Sequence, residues 1–260
     1  MARPVVLVTG ASAGIGDAFA RILATRAYNL VVVARDVARL DALAAELAGA
    51  QKTEVEVLGA DLTEPAQLAA VEARLADPKR PIEILINNAG FGTMGRFHEL
   101  DVDAETRMIQ LNVLALTRLT HAALGPMVER GHGGILNVSS LASFQPTPTI
   151  GTYGATKAFV TSFTQSVHED VRGTGVKVTC LCPGFTRTEF QARAGAEADK
   201  MPGFVWQSAE EVARAGLDGL DKNKAIVVPG ALNKVTAGAV GVLPTTVSRK
   251  SAAVLAKFFG

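Results

Sequence analysis

Tyr153 and Lys157 are the two side chains whose types and spacing most directly indicate proton chemistry. Residues four apart on a helix lie on the same face, one above the other. A phenol alone is a poor acid at neutral pH, because its pKa is about 10. A lysine ammonium beside it favours the phenolate, so we expect Lys157 to lower the pKa of Tyr153 and make the pair usable in acid–base catalysis. The alternative is an ordinary pair on a helix surface.

A glycine-rich turn near the N-terminus is a second chemical signal. Residues 5–8 form a short apolar run, residues 9–16 read Thr-Gly-Ala-Ser-Ala-Gly-Ile-Gly, and apolar residues then recur at helical spacing from Ala18 to Ala27. This order of strand, turn and helix is typical of a dinucleotide-binding turn, in which glycines let the backbone approach a pyrophosphate. The helix N-terminus offers unpaired N–H groups and a positive dipole end to the phosphates.

Arg35 follows the second predicted strand, at the position that faces the adenosine ribose. An acidic residue there accepts from the 2′-hydroxyl and favours NAD, whereas an arginine accommodates the 2′-phosphate of NADP. Ala34, an apolar residue, occupies the position where the acidic residue often lies, and Arg35 supplies a positive charge. The sequence therefore favours NADP(H) over NAD(H). The alternative is that Arg35 is an ordinary solvated loop residue and that the protein prefers NAD.

Short apolar strands alternate with amphipathic helices along the chain. The predicted strands are 5–8, 30–34, 54–58, 82–86, 134–138, 176–181 and 225–228. This alternation predicts an α/β fold, a single doubly wound Rossmann domain with helices on both faces of a seven-stranded parallel sheet of order 3-2-1-4-5-6-7. Residues 189–207 have weak periodicity and are predicted to form a substrate-binding lid, and residues 230–260 form a C-terminal tail.

The composition is that of a globular protein with a small-molecule ligand. With 260 residues, 48% of them hydrophobic, and a net charge of +1 without a basic run, the chain has no signature of nucleic-acid binding. Cys180 and Cys182 alternate in a predicted strand, a spacing of about 6.6 Å that suits a disulfide poorly. We expect reduced thiols, no metal site, no transmembrane segment and a cytoplasmic location.

Taken together, the motifs resemble those of the short-chain dehydrogenase/reductase family over nearly the whole chain, from Val5 to about Gly230. The matching residues are Thr9-Gly-Ala-Ser-Ala-Gly14-Ile-Gly16, Asp61-Leu62, Asn87-Asn88-Ala89-Gly90, Asn112, Ser140, Tyr153-x-x-x-Lys157, Pro183-Gly184, Thr186 and Thr188. Tyr153 follows Ser140 by thirteen positions, as in that family, which identifies Ser140 and not Ser139 as the catalytic serine.

The resemblance implies four catalytic residues, Asn112, Ser140, Tyr153 and Lys157. Tyr153 is then the general acid in reduction and the base in oxidation. Lys157 lowers its pKa and holds the nicotinamide ribose. Ser140 binds the substrate oxygen, and Asn112 holds a water that links Lys157 to solvent. Asn112 is also unusual by itself, because asparagine is a mediocre residue for the middle of a helix.

The resemblance also implies a set of cofactor-binding residues. They are Gly10, Ser12, Ala13, Gly14, Ile15 and Gly16 at the phosphates, Arg35 at the 2′-phosphate, Asp61 and Leu62 at the adenine, Asn88, Ala89 and Gly90 near the ribose, and Tyr153, Lys157, Pro183, Gly184, Thr186 and Thr188 along the rest of the cofactor. Some relatives carry a basic residue where Ala13 stands. The 2′-phosphate is therefore expected to rest mainly on Arg35. The paired asparagines at 87–88 can equally form a structural turn.

Apolar residues around these motifs predict a lipophilic substrate, a ketone, an aldehyde or a 3-oxoacyl chain. The predicted lining comprises Phe91, Met94, Phe144, Pro146, Phe185, Phe190, Met201 and Trp206, together with Ser140 and Tyr153; the alternative is that several of them pack the core. The resemblance implies a homo-dimer or homo-tetramer. A catalytically silent NADP(H)-sensing scaffold is the alternative function, although none of the four catalytic residues is lost.

Overall fold

The computed structural model describes residues 3–190, 203–242, 246, 249, 250 and 252. Its strands are β1 Val5–Thr9, β2 Asn29–Ala34, β3 Val55–Gly59, β4 Ile82–Asn87, β5 Gly133–Val138, β6 Val176–Leu181, β7 Thr186–Arg187, β8 Gln207–Ser208 and β9 Ile226–Val227. Its helices are α1 Gly14–Thr25, α2 Val37–Gln51, α3 Pro65–Ala76, α4 Val102–Ile109, α5 Leu116–Arg130, α6 Gly151–Asp170, α7 Ala209–Asp221 and α8 Ala231–Val242.

Seven parallel strands form the central sheet in the order β3-β2-β1-β4-β5-β6-β9. This confirms the predicted order, because β9 is the seventh strand of the prediction. Val6, Leu7 and Val8 of β1 have no exposed surface, which explains why their sequence is continuously apolar rather than alternating. The pairing of β7 with β8 into a separate two-stranded ribbon was not predicted from the sequence.

Helices cover both faces of the sheet. On one face, Phe19 and Leu23 of α1 pack in one core with Leu217 of α7. On the other, Leu119 and Met127 of α5 belong to a second core, which also includes residues of α3 and α6. A fully buried side chain of this size contributes about 1.5–3 kcal/mol to stability. The two cores therefore fix the carboxyl ends of β1, β4 and β5 relative to one another.

The long helix predicted at about 103–129 has a π-helical segment, Gln110–Ala115, between α4 and α5. Single π turns of this kind are frequent at functional sites. Asn112 lies in this segment and is buried. The sequence predicted the helix and singled out Asn112, but the change in winding has no clear sequence signal.

Cys180 and Cys182 are buried free thiols whose sulfur atoms lie 3.7 Å apart, in contact but not bonded. Within the described ranges, no cluster of three His, Cys, Asp or Glu side chains could hold a metal ion. Across the same part of the chain, no helix combines the length and apolar character needed to cross a bilayer.

Candidate active site

The glycine turn between β1 and α1 closes tightly on itself. Gly10 and Gly14 have φ of +66° and +59°, a region that glycine adopts without strain. A Cβ atom on Gly16 would lie 2.1 Å from the carbonyl oxygen of Gly10, so no side chain fits there. The helix begins directly at Gly14 after Ala13, whose methyl group cannot cap the first N–H groups. These donors fit the pyrophosphate of a dinucleotide.

Asn88 braces this turn. Its Nδ2 donates to the carbonyl oxygens of Thr9 at 2.9 Å and Gly10 at 3.2 Å. The Thr9 hydroxyl oxygen accepts from the backbone N–H groups of Asn88 and Ala89, each at 3.0 Å. The side chain of Asn88 therefore has a structural role between β4 and the turn, and its predicted ribose contact stays a prediction.

The predicted 2′-phosphate position is charged and open. Arg35 is 76% exposed, and its guanidinium lies 3.7 Å from the carboxylate of Asp61. Burial pushes the pKa of Asp61 upward, but hydrogen bonds from Thr63 and the charge of Arg35 hold it below its usual value. One turn further, a guanidinium nitrogen of Arg39 donates to both carboxylate oxygens of Glu189 at 3.0 Å. An exposed, positively charged side chain is therefore available at Arg35.

The hydroxyl group of Ser140 lies near that of Tyr153 and acts to lower its pKa. Ser140 directly follows Ser139 after β5, and its Oγ also accepts from the backbone N–H of Ala142 at 3.1 Å, capping the turn Leu141–Phe144. The ring of Tyr153 packs on Phe190, with 5.4 Å between ring centroids. The structure thus brings the predicted catalytic serine and tyrosine close together.

Lys157 lies beside this pair and is almost fully buried. Its Nζ donates to the carbonyl oxygen of Val138 at 2.9 Å and lies 5.7 Å from the centroid of the Tyr153 ring. The thirteen-residue spacing to Tyr153 identified Ser140, not Ser139, as the catalytic serine. The hydroxyl group of Ser139 donates to the carbonyl oxygen of Lys157 at 2.8 Å and hydrogen bonds to Thr161. Ser139 therefore fastens α6 to the end of β5, while Ser140 faces the tyrosine.

The expectation that Lys157 lowers the pKa of Tyr153 is wrong for this structure. Burial raises the pKa of Tyr153 to about 12, against the opposing effect of the hydrogen bond with Ser140. Burial also lowers the pKa of Lys157 to about 8. Desolvation favours the neutral form of both groups. The phenol of Tyr153 is therefore protonated at neutral pH, the state of a proton donor.

Asn112 connects three segments around this site. Its Nδ2 donates to the carbonyl oxygen of Phe91 at 2.9 Å and to the hydroxyl of Thr156 at 3.1 Å. Its Oδ1 accepts from the N–H of Phe91 at 3.2 Å. A Cβ atom on Gly90 would lie 2.9 Å from that oxygen and 3.5 Å from Nζ of Lys157. Asn112 thus positions the loop after β4, and the predicted water relay stays a prediction.

The predicted apolar lining is brought together in part. Phe190 contacts Tyr153, and the rings of Phe185 and Trp206 lie 5.5 Å apart, with Phe185 just before the predicted lid and Trp206 near its end. Met201 lies outside the described residues. A separate surface cavity of about 580 Å³ lies where α6 ends and β6 begins. It is at the amino ends of the strands, whereas the candidate active site is at their carboxyl ends.

The two neighbouring serines should give opposite mutational results. Ser140→Ala should lower turnover about ten- to a hundredfold, because a hydrogen bond to developing charge contributes about 1.5–3 kcal/mol. Ser139→Ala should mainly lower the free energy of unfolding, by about 1 kcal/mol. Steady-state kinetics and thermal unfolding of both variants check this. Loss of turnover confined to Ser139→Ala would contradict the assignment.

Three supporting residues were missed by the sequence analysis. Thr9, Ser139 and Thr156 each hold a functional segment through a hydroxyl group. Thr9 is the first residue of the glycine motif and Ser139 directly precedes the predicted catalytic serine, so their position was a usable signal. Thr156 bonds to a residue 44 positions away, which local patterns do not reveal.

Comparisons with known proteins show the family and agree with the fold. The family model described as short chain dehydrogenase matches residues 4–199. A short-chain dehydrogenase from Sphingobium yanoikuyae, solved in complex with NADPH, is 40% identical, with a TM-score of 0.83 over 93% of this chain and 96% of that chain. A bulky-bulky ketone specific alcohol dehydrogenase from Comamonas testosteroni is 34% identical, with a TM-score of 0.80 over 94% and 96%. Sulfoacetaldehyde reductase 2 from Chromohalobacter salexigens is 37% identical over 72% of this chain and 74% of that protein.

Proposed function

Because the chain belongs to the short chain dehydrogenase family of oxidoreductases, we propose that it is an NADP(H)-dependent enzyme that reduces a lipophilic ketone or aldehyde, or oxidises the matching alcohol. The observation that carries this proposal is the grouping of Ser140 and Tyr153 beside buried Lys157, whose Nζ lies 5.7 Å from the centroid of the Tyr153 ring. These groups lie at the carboxyl end of the sheet, where ligands of doubly wound folds bind.

Each side chain has a distinct role in the proposed reaction. Ser140 donates a hydrogen bond to the substrate carbonyl oxygen, and Tyr153 gives that oxygen its hydroxyl proton. Lys157, held by the carbonyl of Val138, provides positive charge near the phenolate that remains. When bound, the cofactor supplies the hydride. Asn112 fixes the loop that borders Lys157, and we propose that it also holds a water for proton exchange.

Arg35 supports preference for NADP(H), as does the NADPH bound by the Sphingobium relative. Arg35→Ala should raise the Kd for NADPH about tenfold and leave that for NADH unchanged, because only NADPH carries the 2′-phosphate. Tryptophan fluorescence titration with both cofactors measures this. Arg172→Ala is a matched control, since Arg172 is 85% exposed and lies near the amino end of β6, away from the predicted cofactor site. Equal loss of affinity for both cofactors would refute this role.

The lipophilic substrate class rests on the apolar residues near Tyr153 and on the relative named for bulky ketones. The relative named for sulfoacetaldehyde points instead to a small, charged aldehyde. A panel of bulky aryl ketones, long-chain aldehydes, 3-oxoacyl esters and sulfoacetaldehyde, read by NADPH consumption, tests it. Faster turnover of the apolar members supports a lipophilic pocket. If none is turned over while NADPH binds, the alternative of a silent NADP(H)-binding scaffold holds.

Exposed apolar side chains on the helices support a homo-oligomer. Ile109 and Leu114 are 48% and 52% exposed around the π-helical segment, and Phe159 of α6 is 41% exposed. Apolar groups of this size are usually covered in an assembly when they cluster. Analytical ultracentrifugation distinguishes a dimer from a tetramer. The lid at 189–207 and the tail at 230–260 are retained as proposals.

A further inference from the structure

Asn233, in the first turn of α8, connects two segments that are distant in sequence. Its Nδ2 donates to the side-chain oxygen of Gln207 at 2.9 Å and to the carbonyl oxygen of Pro229 at 2.8 Å. Gln207 belongs to β8, and its own N–H donates to the carbonyl oxygen of Phe185 at 2.9 Å. The amide of Asn233 therefore ties the C-terminal helix to the two-stranded ribbon of β7 and β8.

The same amide lies directly against Gly184. A Cβ atom on Gly184 would lie 2.5 Å from Nδ2 and 2.7 Å from Oδ1 of Asn233, closer than real Cβ contacts. The preceding residue, Pro183, accepts through its carbonyl oxygen from the N–H of Leu141 at 2.8 Å. Leu141 begins the turn that Ser140 caps, and α8 packs against this turn as well. Asn233 thus contacts the segment that runs behind the catalytic serine.

We propose that Asn233 is a positioning residue of the active site, which clamps the Pro183–Gly184 turn against the β7–β8 ribbon and so sets the cofactor-binding surface. This inference rests on the proposed function, in which Pro183, Gly184, Thr186 and Thr188 contact the cofactor. The family model ends at residue 199, so this clamp adds a C-terminal element to the site that the shared motifs do not include.

Trp206 gives a readout of the clamp that does not depend on activity. It is the single tryptophan of the chain and directly precedes Gln207. Its ring lies 5.5 Å from the Phe185 ring and 5.7 Å from the Arg187 guanidinium. If the bond from Asn233 holds β8 in place, losing it should expose this ring to water and move its emission to longer wavelength.

A double-mutant cycle tests the proposal. Asn233→Ala should raise the KM for NADPH about two- to tenfold, the effect of one or two lost hydrogen bonds, with a smaller change in kcat and a red-shifted Trp206 emission. Gly184→Ala should raise KM further, because its methyl group collides with the amide. The double variant should show a lower KM than Gly184→Ala, since removing the amide makes room for the methyl group.

Further variants separate hydrogen bonding from packing. Asn233→Asp keeps the shape but replaces the donor that faces two oxygen atoms, so it should behave like Asn233→Ala. Thr236→Ala, exposed on the same helix, should leave KM and emission unchanged. Additive effects of Gly184→Ala and Asn233→Ala, or unchanged emission in Asn233→Ala, would overturn the clamp. Should the wild type reduce no carbonyl, the proposed function fails, but emission and the Kd for NADPH still decide the clamp.

Discussion

Tyr153→Phe should lower kcat for carbonyl reduction by about 10²- to 10⁴-fold, the usual contribution of a positioned general acid. The substitution removes only the hydroxyl group that lies near Ser140. The ring contact with Phe190, at 5.4 Å, is retained. We therefore expect the melting temperature and the Kd for NADPH to stay close to wild-type values. Steady-state kinetics, thermal unfolding and cofactor titration measure the three quantities.

Tyr28→Phe is the matched control, because Tyr28 and Tyr153 are the two tyrosines of the chain. Tyr28 packs at the edge of the core that contains α1, away from the catalytic groups. It should retain full turnover. Turnover of Tyr153→Phe within a few-fold of wild type would exclude Tyr153 as the proton donor.

Lys157→Met should lower kcat/KM by about 10²-fold or more and, at pH 7, make the protein more stable. Lys157 is buried, and its pKa falls from 10.5 to about 8. This shift corresponds to roughly 3 kcal/mol of unfavourable burial of the charged form. Losing the hydrogen bond to Val138 offsets about 1 kcal/mol of the gain. A net gain of about 1–2 kcal/mol should raise the melting temperature by several degrees.

The stability difference between wild type and Lys157→Met should depend on pH in a defined direction. Between pH 8 and 10.5, Lys157 is neutral in the folded state and protonated in the unfolded state. The unfolded wild type then binds more protons, so wild-type stability rises with pH across this window. The advantage of Lys157→Met should therefore be largest below pH 8 and shrink toward pH 10.5.

Urea unfolding of both proteins at several pH values measures this dependence. Lys222→Met, at an exposed lysine, should show the same pH dependence as wild type. A Lys157→Met variant that is less stable than wild type at pH 7, with a gap that widens as pH rises, would contradict this account of the buried ammonium.

The sheet could be predicted because its strands are buried on both faces and therefore have continuous apolar sequences. Such runs are Val6 to Val8 and Leu30 to Val33. Both are buried, and they lie in the neighbouring parallel strands β1 and β2. The catalytic motifs follow such strands at recognisable spacings. Ser140 and Tyr153, thirteen residues apart, lie near enough for Ser140 to affect the pKa of Tyr153. Local patterns and chain order were sufficient for these features.

Features that depend on three-dimensional surroundings could not be predicted in the same way. The pKa of Tyr153 rises because of burial, whereas the sequence indicated only a neighbouring lysine. Asn88 stabilises the glycine turn by a hydrogen bond to Thr9, which is nearly eighty positions away in sequence. Asn233 and Gly184 are far apart in sequence, and only the packing of the folded chain brings them into contact. Spacing along the chain carries no information on such contacts.

The most direct test of the central claim is deuterium transfer from NADPH in which both hydrogens on the nicotinamide carbon that gives up its hydride are replaced by deuterium. The labelled cofactor, the enzyme and the carbonyl panel are incubated, and the alcohol products are analysed by mass spectrometry. We predict one deuterium on the former carbonyl carbon with the wild type, and almost no product with Tyr153→Phe. Unlabelled alcohol, or equal labelled product from both proteins, would contradict the claim.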